Sequence, residues 1–355
     1  MTGIRSETAP LSGRTSYQAL TLRRKLVLAA LSVALVLALI GDIATGPASY
    51  GLWDVARTLI APVEADAQMR VIVWSIRTPA ALMAIVVGMA LAIGGAQMQT
   101  ILNNPLASPF TLGISAGASF GAALAIAFGV ALIPAAGEYV VAVNAFVVAM
   151  ATACLIHMAS IRRGASIQTI VLFGIALVFS FNTALAITQY FANQEAVAAI
   201  VFWTMGSLAK ATWPKFFMTA LAVAITLPIF LRRRWQLSAL RLGEARAASF
   251  GIPVRRLRLE TLILVSLLSA IPVAFVGTIG FVGLVGPHIA RMMVGEDQRF
   301  LLPASALTGA LIMSLSSILA KVAVPGVVLP IGIVTAAVGL PVFLYLILKN
   351  GREIW

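Results

Sequence analysis

Charge is what this chain has least of. Only 10% of its 355 residues are charged, and just 12 of them are Asp or Glu. One cysteine and two histidines are the only thiol and imidazole groups. Cys154 lies in an apolar run with no intrachain partner, which excludes a disulfide framework and reads as a small packing residue. His157 and His288 have no cysteine or carboxylate cluster at metal-ligand spacing, so no metal centre is expected, and His157 reads as interfacial packing. The dipeptide Gly-Lys is absent throughout, which excludes a phosphate-binding loop of the GxxxxGK(S/T) type and ATP hydrolysis by that route. Three long stretches, Thr78 to Gly137, Gly164 to Gln194 and Thr261 to Ala290, carry no charge at all.

What is abundant is apolar surface. Hydrophobic residues make up 61% of the chain and the mean hydropathy is +1.01. A hydrocarbon layer about 30 Å thick takes about 20 apolar residues per helix. The sequence accommodates spans near 22–41, 71–99, 106–132, 139–160, 166–192, 212–231, 259–277, 279–294, 302–322 and 329–348. The fold class expected is therefore all-α and polytopic, with about ten transmembrane helices. A polar tail, 1–20, precedes a single membrane domain, 21–355. The run after Arg23, Arg24 and Lys25 lacks a convincing cleavage site and reads as an uncleaved first helix.

The net charge of +13 follows topology rather than a nucleic-acid partner. Arg57, Arg70, Arg77, Lys210, Lys215 and Lys321 fall on one side of the predicted spans, and all the other Lys and Arg fall on the side of the termini. The positive-inside rule then places both termini in the cytoplasm. The opposite loop, about 42–70, holds Asp42, Asp54, Glu64 and Asp66. Trp53, Trp74, Trp203 and Trp213 mark that boundary, and Trp235 and Trp355 the inner one, as an aromatic belt does. Ala196–Ala209 is too short to span and is expected as a surface helix on the outer side. Carriers coupled to ions or protons keep ionisable groups at membrane depth. Here Lys321 and Glu195 sit at predicted helix ends, so the driving energy is expected from outside the chain. Sodium sites made of backbone carbonyls stay open.

Gly113, Gly117 and Gly121 recur every four residues, the spacing of closely packed membrane helices. Gly277, Gly280, Gly283 and Gly286 recur every three, predicting a compact corner. The one long basic loop, about 232–260, reads as two short helices broken at Gly243 and at Gly251-Ile252-Pro253. Leu237, Leu240, Leu242, Ala245, Ala248 and Phe250 are expected along one side of it. Composition leaves two readings of this loop open, an anchor on anionic membrane lipids and a dock for a cytoplasmic protein.

Three stretches resemble the FecCD-type permeases of ABC importers for iron–siderophores, haem and vitamin B12. The first, Trp74–Leu124, carries Arg77-x-Pro79, a Gly-rich helix, Gln99 and Asn104-Pro105-Leu106-Ala107-x-Pro109. The second places Leu242-Gly243-Glu244 and Phe250-Gly251 in the basic loop. The third is GTIGFVGLVGPHIAR, Gly277–Arg291, with Pro287, His288 and Arg291, continuing into Leu329–Lys349.

The resemblance implies a type II importer permease in the cytoplasmic (inner) membrane, with no catalysis of its own. It would pair with a second copy of itself or a paralogous permease, with ABC ATPase subunits that bind ATP and Mg, and with an extracytoplasmic substrate-binding protein. No cofactor is expected on this chain. Leu242, Gly243, Glu244, Ala248 and Gly251 are implied to contact the ATPases, Glu244 by pairing with a charge on them. The family's binding-protein docking positions match Arg77, Ala80 and Lys321, with Arg70 as a further basic residue. Its gate corresponds to Ser166, Ile167 and Gln168, with Asn182 lining the pathway. His288 is assigned a structural or coupling role. An uncharged pathway suits a bulky chelate. A ferric siderophore is expected first, with haem, cobalamin and molybdate as alternatives.

Overall fold

The computed structural model describes residues 13–48, 50–161 and 167–350. Among them the regular elements are helices, with one isolated bridge between Val324 and Val327. The chain runs through α1 (Gly13–Ala44), α2 (Leu52–Ile60) and α3 (Ala67–Arg70), then a π-helical stretch, Val71–Arg77, that leads into α4 (Thr78–Ile101). Next come α5 (Ile114–Phe128), α6 (Val140–Ile161), α7 (Ile167–Phe191), α8 (Gln194–Thr204) and α9 (Trp213–Arg232). Two short helices follow, α10 (Arg234–Leu240) and α11 (Glu244–Ser249). The last four are α12 (Val254–Val276), α13 (Val282–Val294), α14 (Gln298–Val322) and α15 (Ile331–Asn350).

Among the described residues, seven helical stretches are long and apolar enough to cross a membrane, and shorter apolar helices fill the remaining expected spans, as Ile114–Phe128, Val282–Val294 and Ile331–Tyr345. The third and eighth spans are shorter as helices than the hydropathy suggests. A 13-residue helix rises only about 20 Å, less than the hydrocarbon layer. The difference is made up by irregular backbone at 102–113 and 277–281. Asn103 (φ 41°) and Phe281 (φ 65°) sit there, residues with side chains held at positive φ. Such backbone is tolerated at membrane depth when protein covers it, and Ala107, Ser108, Leu112 and Ile279 are buried. At the other end of the scale, α1 reaches further than expected. It takes in residues 13–20, and at its far end Asp42, expected in a loop, is helical and completely buried.

The centre of the molecule is α4, walled by α9, α12, α13 and α14. Nearly every residue from Thr78 to Ile101 is buried. Lipid tails give helices no hydrophobic reason to associate, so close contact comes from small residues. A Cβ on Gly88 would run into the backbone of Gly309, and one on Gly95 into the carbonyl of Gly283. The expected glycine stripe also packs, with Gly117 and Gly121 against Val148, Thr152 and Asn144 of α6. α7 is the opposite case: its buried residues are Ile170, Gly174 and Thr188, while Leu172, Phe179, Ile187, Tyr190 and Phe191 lie bare.

α8 is a short helix at the surface, as expected, with its outer side bare at Phe202 and its inner side packed. Ile200 and Trp203 are buried, the Thr204 carbonyl accepts the Thr278 hydroxyl at 2.5 Å, and the Met205 carbonyl accepts from the Gly332 amide at 2.9 Å. Contacts at the helix ends define two faces. One, the basic face, carries α10, α11 and the pairing of Arg24 with Asp297 at 3.7 Å. The other, the far face, carries Asp42, Arg77 and Lys321.

Candidate functional site

On the basic face the break between α10 and α11 falls at Gly243, whose φ of 98° and ψ of 153° suit glycine alone. Gly251 (φ 76°) closes the second helix, as the composition predicts. The apolar residues do not line one side, however. Leu237, Leu240, Ala247 and Ile252 are buried, whereas Leu242, Ala248 and Phe250 are exposed. The turn at Gly243 interrupts the helical phase, so the apolar residues on either side of it do not form one stripe. Trp235, 62% exposed, stands 6.3 Å from the Phe250 ring and extends an outward apolar patch.

Glu244 is not a free charge. It forms an ion pair with Arg258, whose side chain is only 11% exposed and so requires a counter-charge. Arg233 pairs with Glu260, and Arg256 with the same carboxylate at 2.8 Å.

Beneath this segment the motif residues meet one another. Arg291 Nη2 donates to Gln99 Oε1 at 3.0 Å, and Gln99 Nε2 to the Leu284 carbonyl at 3.5 Å. Glu296 lies 3.5 Å from Arg291 Nε and 2.5 Å from Arg241 Nη2. Beside this chain, Gln97 Nε2 donates to Gln298 Oε1 and Gln298 Nε2 to Thr100 Oγ1, each at 3.0 Å. Gln97, Gln298, Glu296 and Arg241 were not singled out from sequence. Polar side chains at 97, 99 and 100 in a charge-free run were the available signal.

Asn104 acts locally, its Oδ1 accepting from the Leu106 amide at 2.9 Å and so fixing the turn before Pro105. Pro287 is buried inside α13 and His288 is half-buried beside it. Among the described residues no group of three or more His, Cys, Asp or Glu could hold a metal.

On the far face, two of the cations expected for docking are engaged within the chain. Arg77 is 4% exposed. Its guanidinium donates to the carbonyls of Ile43 at 3.3 Å, Ala44 at 2.9 Å and Ala48, and sits 5.4 Å from the Tyr50 ring centre. Those carbonyls end α1 and begin the following loop, where helical partners run out. Lys321 Nζ is 2.6 Å from Asp42 Oδ1, which also accepts from Ser317 Oγ at 2.8 Å. A buried carboxylate needs that compensation, so neither cation reaches outward. Arg70 does, at the exposed end of α3.

A cavity of about 340 Å³ opens between α8, α14 and the segment before α15. Phe202, Trp203, Phe275, Lys210, Ser317 and Lys321 are among its walls. Of the expected gate residues, Ser166 lies outside the described residues. Ile167 is half-buried, and Gln168 and Asn182 are exposed on α7.

Relatives share this architecture. The chain is 35% identical to the hemin transport system permease HmuU of Yersinia pestis, over 91% of this chain and 97% of that one. It is 35% identical to the vitamin B12 import system permease BtuC of Escherichia coli O127:H6, over 91% of this chain and 94% of that one. A solved inward-facing structure of an ABC transporter assigned to the metal-chelate type superposes with a TM-score of 0.80 at 31% identity, covering 92% of this chain and 99% of that one. Residues 31–349 match the FecCD transport family, and the chain belongs to that family.

Proposed function

We propose that this ABC importer permease carries a bulky metal chelate, a ferric siderophore in the first instance, across the cytoplasmic membrane, with the basic face inside. The observation that carries the reading is a family membership spanning nearly the whole chain, joined to a membrane body without an engine of its own. ATP hydrolysis is assigned to separate ATPase subunits. Their dock is the outward patch of Trp235, Leu242, Ala248 and Phe250, and the motion they supply enters through Gly243 and Gly251. The bare apolar face of α7 is assigned to a second permease subunit, which would put Gln168 and Asn182 at the shared pathway. A substrate-binding protein would approach the far face, where Arg70, of the expected docking cations, is the exposed one.

The test is uptake by vesicles holding this chain with its co-purified ATPase and binding protein. Iron-55 ferric siderophore, haem, cobalamin and molybdate are offered separately, with ATP inside. ATP-dependent accumulation of the ferric siderophore supports the proposal. Accumulation of haem, cobalamin or molybdate alone corrects the substrate, and uptake driven by an ion gradient without ATPase sinks the reading.

A further inference from the structure

α10 is fastened to the membrane body; α11, flanked by two glycine turns, touches it through buried Ala247 and through the pairing of Glu244 with Arg258 of α12. Leu237 of α10 is fully buried, and no atom lies within 4 Å of a Cβ built on Gly243 or Gly251. A push on the α11 patch reaches the bundle through the Glu244–Arg258 pair to α12 and through what grips the end of α10. That grip is polar. Arg241, just past α10, holds Glu296; Glu296 also faces Arg291; and Arg291 holds Gln99 on the last turn of α4.

The middle member of this line, Glu296, is 48% exposed, while the arginines on either side of it are largely covered. Glu296 sits in the tight turn between α13 and α14, directly after Gly295 (φ 76°) and before the helix cap Asp297, which Arg24 of α1 also holds. Arg291 is 14% exposed and Gln99 is 1% exposed, so neither can trade its partner freely for water. α4 has no charge of its own from Thr78 to Ile101, and its end glutamines are the polar handles the chain offers there. Two ion pairs and one hydrogen bond to a buried glutamine thus link the end of α10, α13 and α4 in addition to their apolar packing.

We propose that Arg241, Glu296 and Arg291 are positioning residues that deliver displacement of the α10–α11 segment to Gln99 and hence to the central helix α4. The proposal rests on the reading of this chain as a permease driven by separate ATPase subunits.

The experiment uses the full complex with its co-purifying ATPase in lipid nanodiscs, in a Cys154→Ala, Ala209→Cys background. Residue 209 lines the far-face cavity. The rate of maleimide labelling at 209 is measured with and without ATP, alongside ATP hydrolysis. Wild type is expected to show a nucleotide-dependent change. Glu296→Gln and Arg241→Gln should keep hydrolysis but shrink that change about tenfold, the ratio ~1.4 kcal/mol of lost coupling gives. Arg241→Lys, which keeps the charge, should retain most of it. Glu296→Gln combined with Gln99→Leu should be no worse than Glu296→Gln alone, because members of one line are not additive. If Glu296→Gln does not assemble, Arg241→Gln and Arg241→Lys decide. A full labelling response in the Gln variants, or additive losses in the double, overturns the line while leaving the permease reading intact. No response in wild type overturns that reading and the line with it.

Discussion

The two faces of this protein dispose of their charge in opposite ways. On the far face Asp42, Arg77 and Lys321 are turned inward, each bound to side chains or carbonyls of its own chain. On the basic face Arg241, Glu296 and Arg291 form a line that leads outward, ending at a segment with exposed Leu242 and Phe250. Inward-turned charge knits helix ends together, here α1 to α14 and to the start of α4. A charge line that ends in a glycine-hinged helix holds and transmits. The contrast suggests a closed frame at one end and a receiving end at the other.

The largest expected effect is at Lys321. Lys321→Met leaves Asp42 buried without its cation, a change worth about 3–5 kcal/mol. Thermal unfolding in detergent should show a large loss; a shift no bigger than that of a surface substitution would mean the far face is not held by this pair.

Next is the contrast within the basic face. Leu237→Ala, at a fully buried site, should cost about 2–5 kcal/mol. Leu242→Ala, at a site 53% exposed, should stay within about 0.5 kcal/mol while reducing the ATPase that co-purifies. Equal destabilisation by both would erase the distinction between α10 and α11.

Gly243→Val forces a branched side chain into a conformation costing about 1–3 kcal/mol. Because nothing crowds the site, the cost should fall on the local turn. Transport should drop while the global unfolding temperature changes little, and hydrogen exchange over residues 242–250 should rise.

The smallest effect is at Asp297. Asp297→Ala removes an N-cap bond to the Arg299 amide and should cost about 1 kcal/mol. The hydrogen bond from Arg299 holds this carboxyl below its ordinary value of 3.8. Its contribution is therefore complete above that value and is lost as pH falls through the lower, folded-state value. An unfolding temperature that drops below pH 4 in wild type but less so in Asp297→Ala would show it.

Much of this was legible in the residues. Hydropathy located the spans, because a membrane helix must carry its apolar character along its whole length. The stripe Gly117–Gly121 announced a close helix contact, and Gly243 and Gly251 announced the helix breaks, since spacing and conformational permissiveness are local properties. Asp42 was placed in a loop, and the partner of Lys321 was not seen, for the converse reason. They are 279 residues apart, and a charge that has found a distant partner looks in sequence like one that belongs in water. Glu296 was passed over on the same ground, as one more polar residue in a turn.

By itself the sequence determined an all-helical membrane body, its basic side and its lack of a phosphate-binding loop, all consequences of composition and local order. Only the tertiary structure decided which charges face inward and which residues join α10 to α4. Pairing across the fold depends on how helices far apart in the chain are set side by side.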